Sequence, residues 1–431
     1  MLPTDKRSRW DDGLLDDPRV THLWDEDKTA GTWFADPDRL GLRYPGPVMW
    51  DAFLLFGRQA RWEDAPSDLL ASGWTVIGTT DKLEAPLVAL LTETGSPGPG
   101  AGVPGAAGAG TVAASGLTNP RGFAFGPAGV LTVALAGRPG PNAGVVRIAD
   151  GCPTPVVGGL PAYRIVFGAV TGVADVAYLD GQLYALLSGG DIDRGGQPNG
   201  LYRLDDAGGA ELVADISAFI RDNPVAVKPR DYDTDGQPYA MLAMGDAFWV
   251  TEGNSNQLLR VGLDGSVARI ADLSSGHPIP TGIAPAPDGG AYVGFLTPAP
   301  YGEGTARVVA VAPDGAITEV WTGLSLVTAL AVGADGALYA LEMATGYGED
   351  PNAIAPGTGR VVRMAGPDAA EPVVTGLALP SAMDFGPDGA LYLASPAFGA
   401  DDGQGTIWRI DLVAGQPVAI PTELPDAPPC A

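Results

Sequence analysis

One pattern recurs six times along this chain and limits what it can fold into. The copies are "GFAFGPAGVLTVAL" (122–135), "DVAYLDGQLYALL" (175–187), "MLAMGDAFWVTE" (241–252), "GIAPAPDGGAYVGF" (282–295), "ALAVGADGALYALE" (329–342) and "AMDFGPDGALYLAS" (382–395). Each is a short alternating apolar run, a turn with Gly or Asp, and a second apolar run that carries an aromatic in most copies. Alternation across a Gly/Asp turn is the signature of a β-hairpin. A third strand follows each hairpin: "GVVRIAD" (144–150), "GLYRLDD" (200–206), "QLLRVGLDG" (257–265), "ARVVAVAPDG" (306–315), "RVVRMAG" (360–366) and "TIWRIDL" (406–412). A fourth follows in five copies: "PVVGGL" (155–160), "ELVADI" (211–216), "SVARIADL" (266–273), "ITEVWTGL" (317–324) and "PVVTGL" (372–377). Four strands per unit and six units, at intervals of roughly 40 to 65 residues, predict an all-β, six-bladed β-propeller.

The sixth unit lacks a fourth strand of its own. "TVAASGL" (111–117) precedes the first hairpin and supplies one, which would close the ring and remove an exposed sheet edge. "PVAIPTEL" (417–424) is the competing candidate for that place. The copied positions are structural: Leu338, Ala340, Leu391 and Leu393 are expected to pack between blades, and the "PDG" turns to reverse the chain.

Residues 1–94 stand apart, with no repeat. "DAFLLFG" (51–57) and "WTVIG" (74–78) have strand character, and "DKLEAPLVALLTE" (81–93) helical character with an acidic first turn. A small α/β domain is expected over 1–94. The segment "VTHLWDEDKTAGTWFADPDRLGL…VMWDAFLLFG" is weakly similar to the second half of thioredoxin-like domains, but no cysteine precedes it. Residues 95–110, "GSPGPGAGVPGAAGAG", have almost nothing to bury and are expected to form a flexible Gly/Pro/Ala linker. The propeller then occupies 111–424.

Phrases within the repeats, "NPRGFAFGP" (119–127), "TGVADVAYLDGQLYALLSGGD" (171–191), "IPTGIAPAPDGGAYVGFLT" (279–297) and "PSAMDFGPDGALYLAS" (380–395), resemble the ScyD/ScyE family of propellers. That family is named for proteins of cyanobacterial scytonemin biosynthesis clusters and is related to NHL-repeat propellers. The resemblance spans roughly 110–415. It implies the propeller fold and a ligand- or partner-binding accessory role linked to secondary metabolism. It also implies export. The charged start "MLPTDKRSRWDDGLLDDPRV" holds no signal-peptide core and points instead to the cytoplasm.

Charge narrows the partners. Lys and Arg number 25 against 51 Asp and Glu, a formal net charge of -26, so nucleic acid and anionic membranes are not expected. No apolar run reaches the length of a membrane helix. Cys152 and Cys430 are either one disulfide or two thiols. A monomer that takes a small molecule or a protein is the expectation.

The loops after the second strand and between blades are long: 188–199, 218–238, 296–305, 342–359 and 395–405. Gathered on one face of a rigid scaffold, they are where a ligand site is expected. "DYDTDG" (231–236) places Asp231, Asp233 and Asp235 at alternate positions before a Gly, a spacing suited to Ca2+, although Leu242 and not Glu stands at the twelfth position. "GGDIDRGG" (189–196) offers Asp191, Asp193 and Arg194 as polar ligand contacts. Glu252 and Glu342 end the second strands of their blades, and with Asn254 and Asn256 they could hold Ca2+ or Mg2+ at the channel mouth. That arrangement would support the alternative function, a divalent-metal-dependent hydrolase or lyase similar to gluconolactonase-type or virginiamycin-lyase-type propellers. The histidines are His22 and His277, so a general base in the propeller would have to be His277.

Overall fold

The structure, a computed structural model, describes interrupted stretches of residues 25–74, and residues 110–421 apart from 166–168, 194–195, 346–353 and 414. The chain divides into two compact units, 1–104 and 105–431. In the first, two short helices, α1 (Thr29–Ala35) and α2 (Pro37–Leu40), precede an antiparallel pair, β1 (Ala52–Phe56) and β2 (Leu69–Trp74). The strand expected over 51–57 is β1. The one expected over 74–78 is displaced: β2 ends at Trp74, and 75–78 lie outside the described residues, as does the helix expected over 81–93.

The second unit is a ring of six antiparallel blades. Blade one holds β4 (Pro120–Phe125), β5 (Leu131–Leu135), β6 (Gly140–Ala149) and β7 (Cys152–Arg164), with the short β8 (Val170–Thr171) added to β7. Blade two holds β9 (Val173–Leu179), β10 (Gln182–Leu187), β11 (Gly200–Leu204) and β12 (Ala210–Asp215). Blade three holds β13 (Pro238–Met244), β14 (Ala247–Glu252), β15 (Gln257–Gly262) and β16 (Val267–Asp272). Blade four holds β17 (Pro280–Pro285), β18 (Ala291–Phe295), β19 (Ala306–Val311) and β20 (Ile317–Leu324). Blade five holds β21 (Val327–Val332), β22 (Leu338–Glu342), β23 (Gly359–Gly366) and β24 (Ala369–Leu377). Blade six holds β25 (Met383–Phe385), β26 (Leu391–Ala394) and β27 (Gly405–Ile410), completed by β3 (Thr111–Leu117).

Closure follows the preferred expectation. β3 pairs antiparallel with β27, Gly405 opposite Leu117 and Arg409 opposite Thr111. The competing segment pairs elsewhere: β28 (Val418–Ala419) runs parallel to β24 as a fifth strand on blade five. The first strands of the blades contact one another in sequence, and that of blade six returns to that of blade one. Between blades lie apolar layers. One joins Tyr339 and Leu341 of blade five to Leu391, Leu393 and Trp408 of blade six, all buried. The turns work as their composition requires: Gly389 has φ 77°, a conformation open to Gly, and Asp388 Oδ1 accepts the Ala390 N–H at 3.2 Å.

The loop expected over 218–238 begins inside a helix, α3 (Ile216–Asp222). Asp215 caps it by accepting the Ala218 N–H at 2.8 Å, and Ile216 and Ile220 are buried. Cys152 is disulfide-bonded. The other cysteine of the chain, Cys430, lies outside the described residues.

Candidate functional site: the central channel

The first strand of each blade borders the axis of the ring, and together they enclose a cavity of about 1300 Å3. Its form follows from residue size. At one register level the six strands present Gly122, Asp175, Ala240, Gly282, Ala329 and Ala382, all lining the cavity. Small residues are needed there because neighbouring strands approach closely. A Cβ on Gly282 would lie 2.7 Å from the Ala329 backbone, and one on Gly122 would lie 1.8 Å from Asp175 Oδ1. Two residues further on stand Ala124, Ala177, Leu242, Ala284, Ala331 and Asp384, opposite Thr132, Tyr184, Trp249, Tyr292, Tyr339 and Tyr392 of the second strands. Asp175 and Asp384 are therefore the charged exceptions in two otherwise apolar rings.

Asp175 is nearly inaccessible. Its Oδ1 accepts the Val176 N–H at 2.8 Å, and its Oδ2 accepts the Met241 N–H of the next blade at 2.8 Å. Burial pushes its pKa up to about 7, against those two hydrogen bonds, with the charge of Asp384 adding to the rise. Asp384 Oδ1 accepts the Phe385 N–H at 2.8 Å, and its pKa is pushed up to about 6 by burial. Protein surrounds Asp384 on most sides, yet it is exposed to water through the lumen. No cation pairs with either carboxylate among the described residues.

At the long-loop end, Arg121 is buried. It donates from Nη1 to the Pro120 and Ala397 carbonyls at 3.1 and 3.2 Å, and from Nη2 to the Val170 carbonyl at 2.7 Å. Its guanidinium carbon lies 4.0 Å from the centre of the Phe398 ring. Burial lowers its pKa to about 10, so it stays charged at neutral pH. The nearby Tyr239 hydroxyl is buried with no hydrogen-bond partner among the described residues, and burial raises its pKa. Asp231, Asn254 and His277 also line this end. His277 Nδ1 is 2.7 Å from Asn256 Nδ2, which makes Nδ1 the acceptor and leaves the ring proton on Nε2, 3.4 Å from Asp231 Oδ1.

The residues singled out by sequence separate into three groups. Asp191, Asp193, Asp233 and Asp235 gather on one side of the long-loop face. Arg221 donates to Asp193 Oδ1 at 3.1 Å and to Asp235 Oδ1 at 2.5 Å, and Asp235 Oδ2 accepts the Ile192 N–H at 3.1 Å. Burial raises the Asp233 pKa, with Asp235, Asp191 and Asp193 adding to it. Arg194 lies outside the described residues. The three carboxylates of the expected calcium loop do not converge. Asp235 is held by Arg221, Asp233 Oδ1 accepts the Asp235 N–H at 2.9 Å, and Asp231 turns toward His277.

Glu252 and Glu342 are fully buried and border no part of the channel. Glu252 Oε1 accepts the Gln237 and Asn254 N–H groups at 2.7 and 3.0 Å, and Oε2 accepts from the Ser255 N–H and hydroxyl. Glu342 Oε1 accepts the Ser325 N–H at 2.6 Å, and Oε2 accepts from Arg360. Burial raises the Glu342 pKa despite Arg360. Asn256 is buried, donating to the Asn254 carbonyl at 2.8 Å and accepting the Ile279 N–H at 2.7 Å. Among the described residues no group of three or more His, Cys, Asp or Glu side chains is placed to hold a metal ion. These donor sets do not fit a cation held by Glu252 and Glu342.

Arg121, Asp175, Tyr239 and Asp384 escaped the sequence reading because they sit inside or beside hairpins taken as purely structural. The signal was present: an Asp at a register position where the other copies carry Gly, Ala or Leu.

Fold and channel together define a six-bladed β-propeller with an axial cavity. No protein-family model and no curated protein matches the chain. Among solved structures it is similar to an oxidoreductase (glucose dehydrogenase) of Thermus thermophilus, at 16% identity over 70% of this chain and 100% of that one, with a TM-score of 0.50. It is similar also to a gluconolactonase of Xanthomonas campestris, at 17% identity over 71% and 90% with a TM-score of 0.46. A streptogramin B lyase matches at 13% identity over 71% and 98%, with a TM-score of 0.43. What these likenesses share with the chain is the propeller fold.

Proposed function

We propose that this protein is a small-molecule-binding propeller whose ligand occupies the central channel and enters from the long-loop end. The observation that carries the reading is the channel itself: a preformed cavity of about 1300 Å3, mostly apolar, with a few polar groups. That combination is typical of small-molecule sites. The resemblance to ScyD/ScyE propellers supports a binding or accessory role. Ala243 lines the cavity and is exposed to it, so Ala243→Trp would fill the lumen without displacing a buried neighbour. Ligands found by thermal-shift screening should bind the wild type and not this variant. Undiminished binding to Ala243→Trp would place the site elsewhere.

A catalytic reading is favoured by one observation. Burial raises the pKa of both Asp175 and Asp384, to about 7 and about 6, so both carboxyls can exchange a proton near neutrality. A hydrolase or lyase acting in the channel would use them as acid and base. Loss of turnover in Asp384→Asn, with binding retained, would support this reading.

A further inference from the structure

We propose that the channel selects an organic cation: an ammonium group carried on an apolar, ring-bearing body. The inference rests on the channel being the ligand site and adds the chemistry of what fills it. The ammonium would sit at Asp384, and the body would lie against Phe125, Tyr178 and Phe385, which line the same end of the cavity.

Four observations converge on this ligand. The cavity wall carries three acids, Asp175, Asp231 and Asp384, against one arginine among the described residues. That arginine keeps its charge but donates only to three carbonyl groups and lies over the Phe398 ring, so it pairs with none of the three acids, which outnumber it on the wall. Asp384 accepts one backbone N–H through Oδ1, while Oδ2 accepts no hydrogen bond from the described residues. A carboxylate within an apolar wall and without a cation is costly to ionise, and an ammonium would supply both the missing charge and the missing donor. Independently, Tyr239 lines the cavity, and its hydroxyl has no hydrogen-bond partner among the described residues.

The surroundings favour the same charge. Asp175 and Asp384 line the same cavity, and the charge of Asp384 reaches Asp175, whose pKa it helps to raise. The acidic cluster Asp191, Asp193, Asp233 and Asp235 lies on the long-loop face, in a chain of net charge -26. A cation would be drawn to such an entrance, and an anion repelled. Aromatic faces add attraction for an ammonium.

The test compares 4-phenylbutylammonium, 4-phenylbutanol and 4-phenylbutyrate by titration calorimetry on the full chain. The ammonium should bind about tenfold or more tighter than the alcohol, as a charge-assisted hydrogen bond requires, and the carboxylate weakest. Asp384→Asn should abolish the preference, bringing the ammonium to about the affinity of the alcohol, while Asp384→Glu retains it. Ala243→Trp should block the ammonium and the alcohol alike. Equal binding of ammonium and alcohol, or a preference that survives Asp384→Asn, overturns this inference and leaves the channel site standing. Failure of all three probes to bind, or binding that survives Ala243→Trp, overturns the channel reading as well.

Discussion

A carboxylate set in an apolar wall is informative because the protein must tolerate it through every folding cycle. Asp384 has its pKa raised from the ordinary 3.8 to about 6, and Asp175 to about 7. A carboxyl whose folded pKa is raised holds its proton more firmly when folded. Stability from this source is therefore greatest in acid, and it declines as pH rises from near 4 through the folded pKa. Asp384→Asn keeps the acceptor for the Phe385 N–H and removes the titration. The variant should match wild type near pH 4 and exceed it at pH 8 by about 1 kcal/mol, a figure reduced for water in the lumen. Chemical denaturation at the two pH values measures this, and an equal difference at both would refute it. Gly122 is the complementary case, since a methyl group there would collide with the Asp175 carboxylate and approach its Cα to 2.9 Å. Gly122→Ala should cost about 2–3 kcal/mol in the same assay, the range of overpacked cores. Both residues were visible in the sequence as letters, but neither stood out. A glycine within a strand is ambiguous without the neighbouring strand, and an aspartate in a repeat gains meaning only once the register shows five small or apolar residues at its level.

At the scale of the strand and its loop, Glu252 and Glu342 were the departures from the repeat that drew attention as ligand residues. The structure gives them one shared position in the fold. Each ends the second strand of its blade and accepts an N–H from the loop that enters the same blade, that of Gln237 or Ser325. Ser395, at the matching place in blade six, does the same with a hydroxyl, accepting the Ala378 N–H at 3.0 Å. The departures thus vary the side chain and keep the tie. Glu252→Ala would leave several buried donors without an acceptor and should cost about 3 kcal/mol or more. Glu252→Gln should cost less, because one of its two oxygens remains. Denaturation curves that barely move for Glu252→Ala would sink this account. By contrast, Asp246, Asp335 and Asp388 of the hairpin turns pair with Arg260, Arg363 and Arg409 of the third strands at the surface. Breaking one such exposed pair should change stability by no more than about 1 kcal/mol. The hairpins themselves were legible because alternation and Gly/Asp turns are local signals. The ties were not, because they join a strand end to a loop some 15 residues away in sequence for Glu252 and 17 for Glu342.

At the scale of the molecule, the ring was legible from period and count, and its closure from a strand-like segment on the wrong side of the first hairpin. The placement of the other end was not legible. Both 111–117 and 417–424 have strand character, and only three-dimensional pairing separates a strand that closes the ring from one that decorates it. The two make different demands on stability. β3 covers the edge of β27, and its Ala114 and Leu117 are buried between blades six and one. β28 adds two residues beside β24, and Val418 and Ile420 extend an existing apolar layer. A chain begun after residue 117 should therefore lose the joint that holds blade six to blade one and leave an unpaired edge, the condition that promotes association between sheets. Such a chain should melt broadly and run as aggregates in size-exclusion chromatography. A chain ended at residue 412 should keep one sharp transition, because the ring is complete without β28, at a midpoint lowered by the loss of β28 and of Cys430, the other cysteine of the chain. Equal damage from both truncations would mean that closure does not reside in the pairing of β3 with β27. The same comparison bears on the channel, whose wall exists only while six first strands stand in a ring. Ligands that still bind the chain ended at 412, and not the chain begun after 117, would tie recognition to ring closure and not to any single loop.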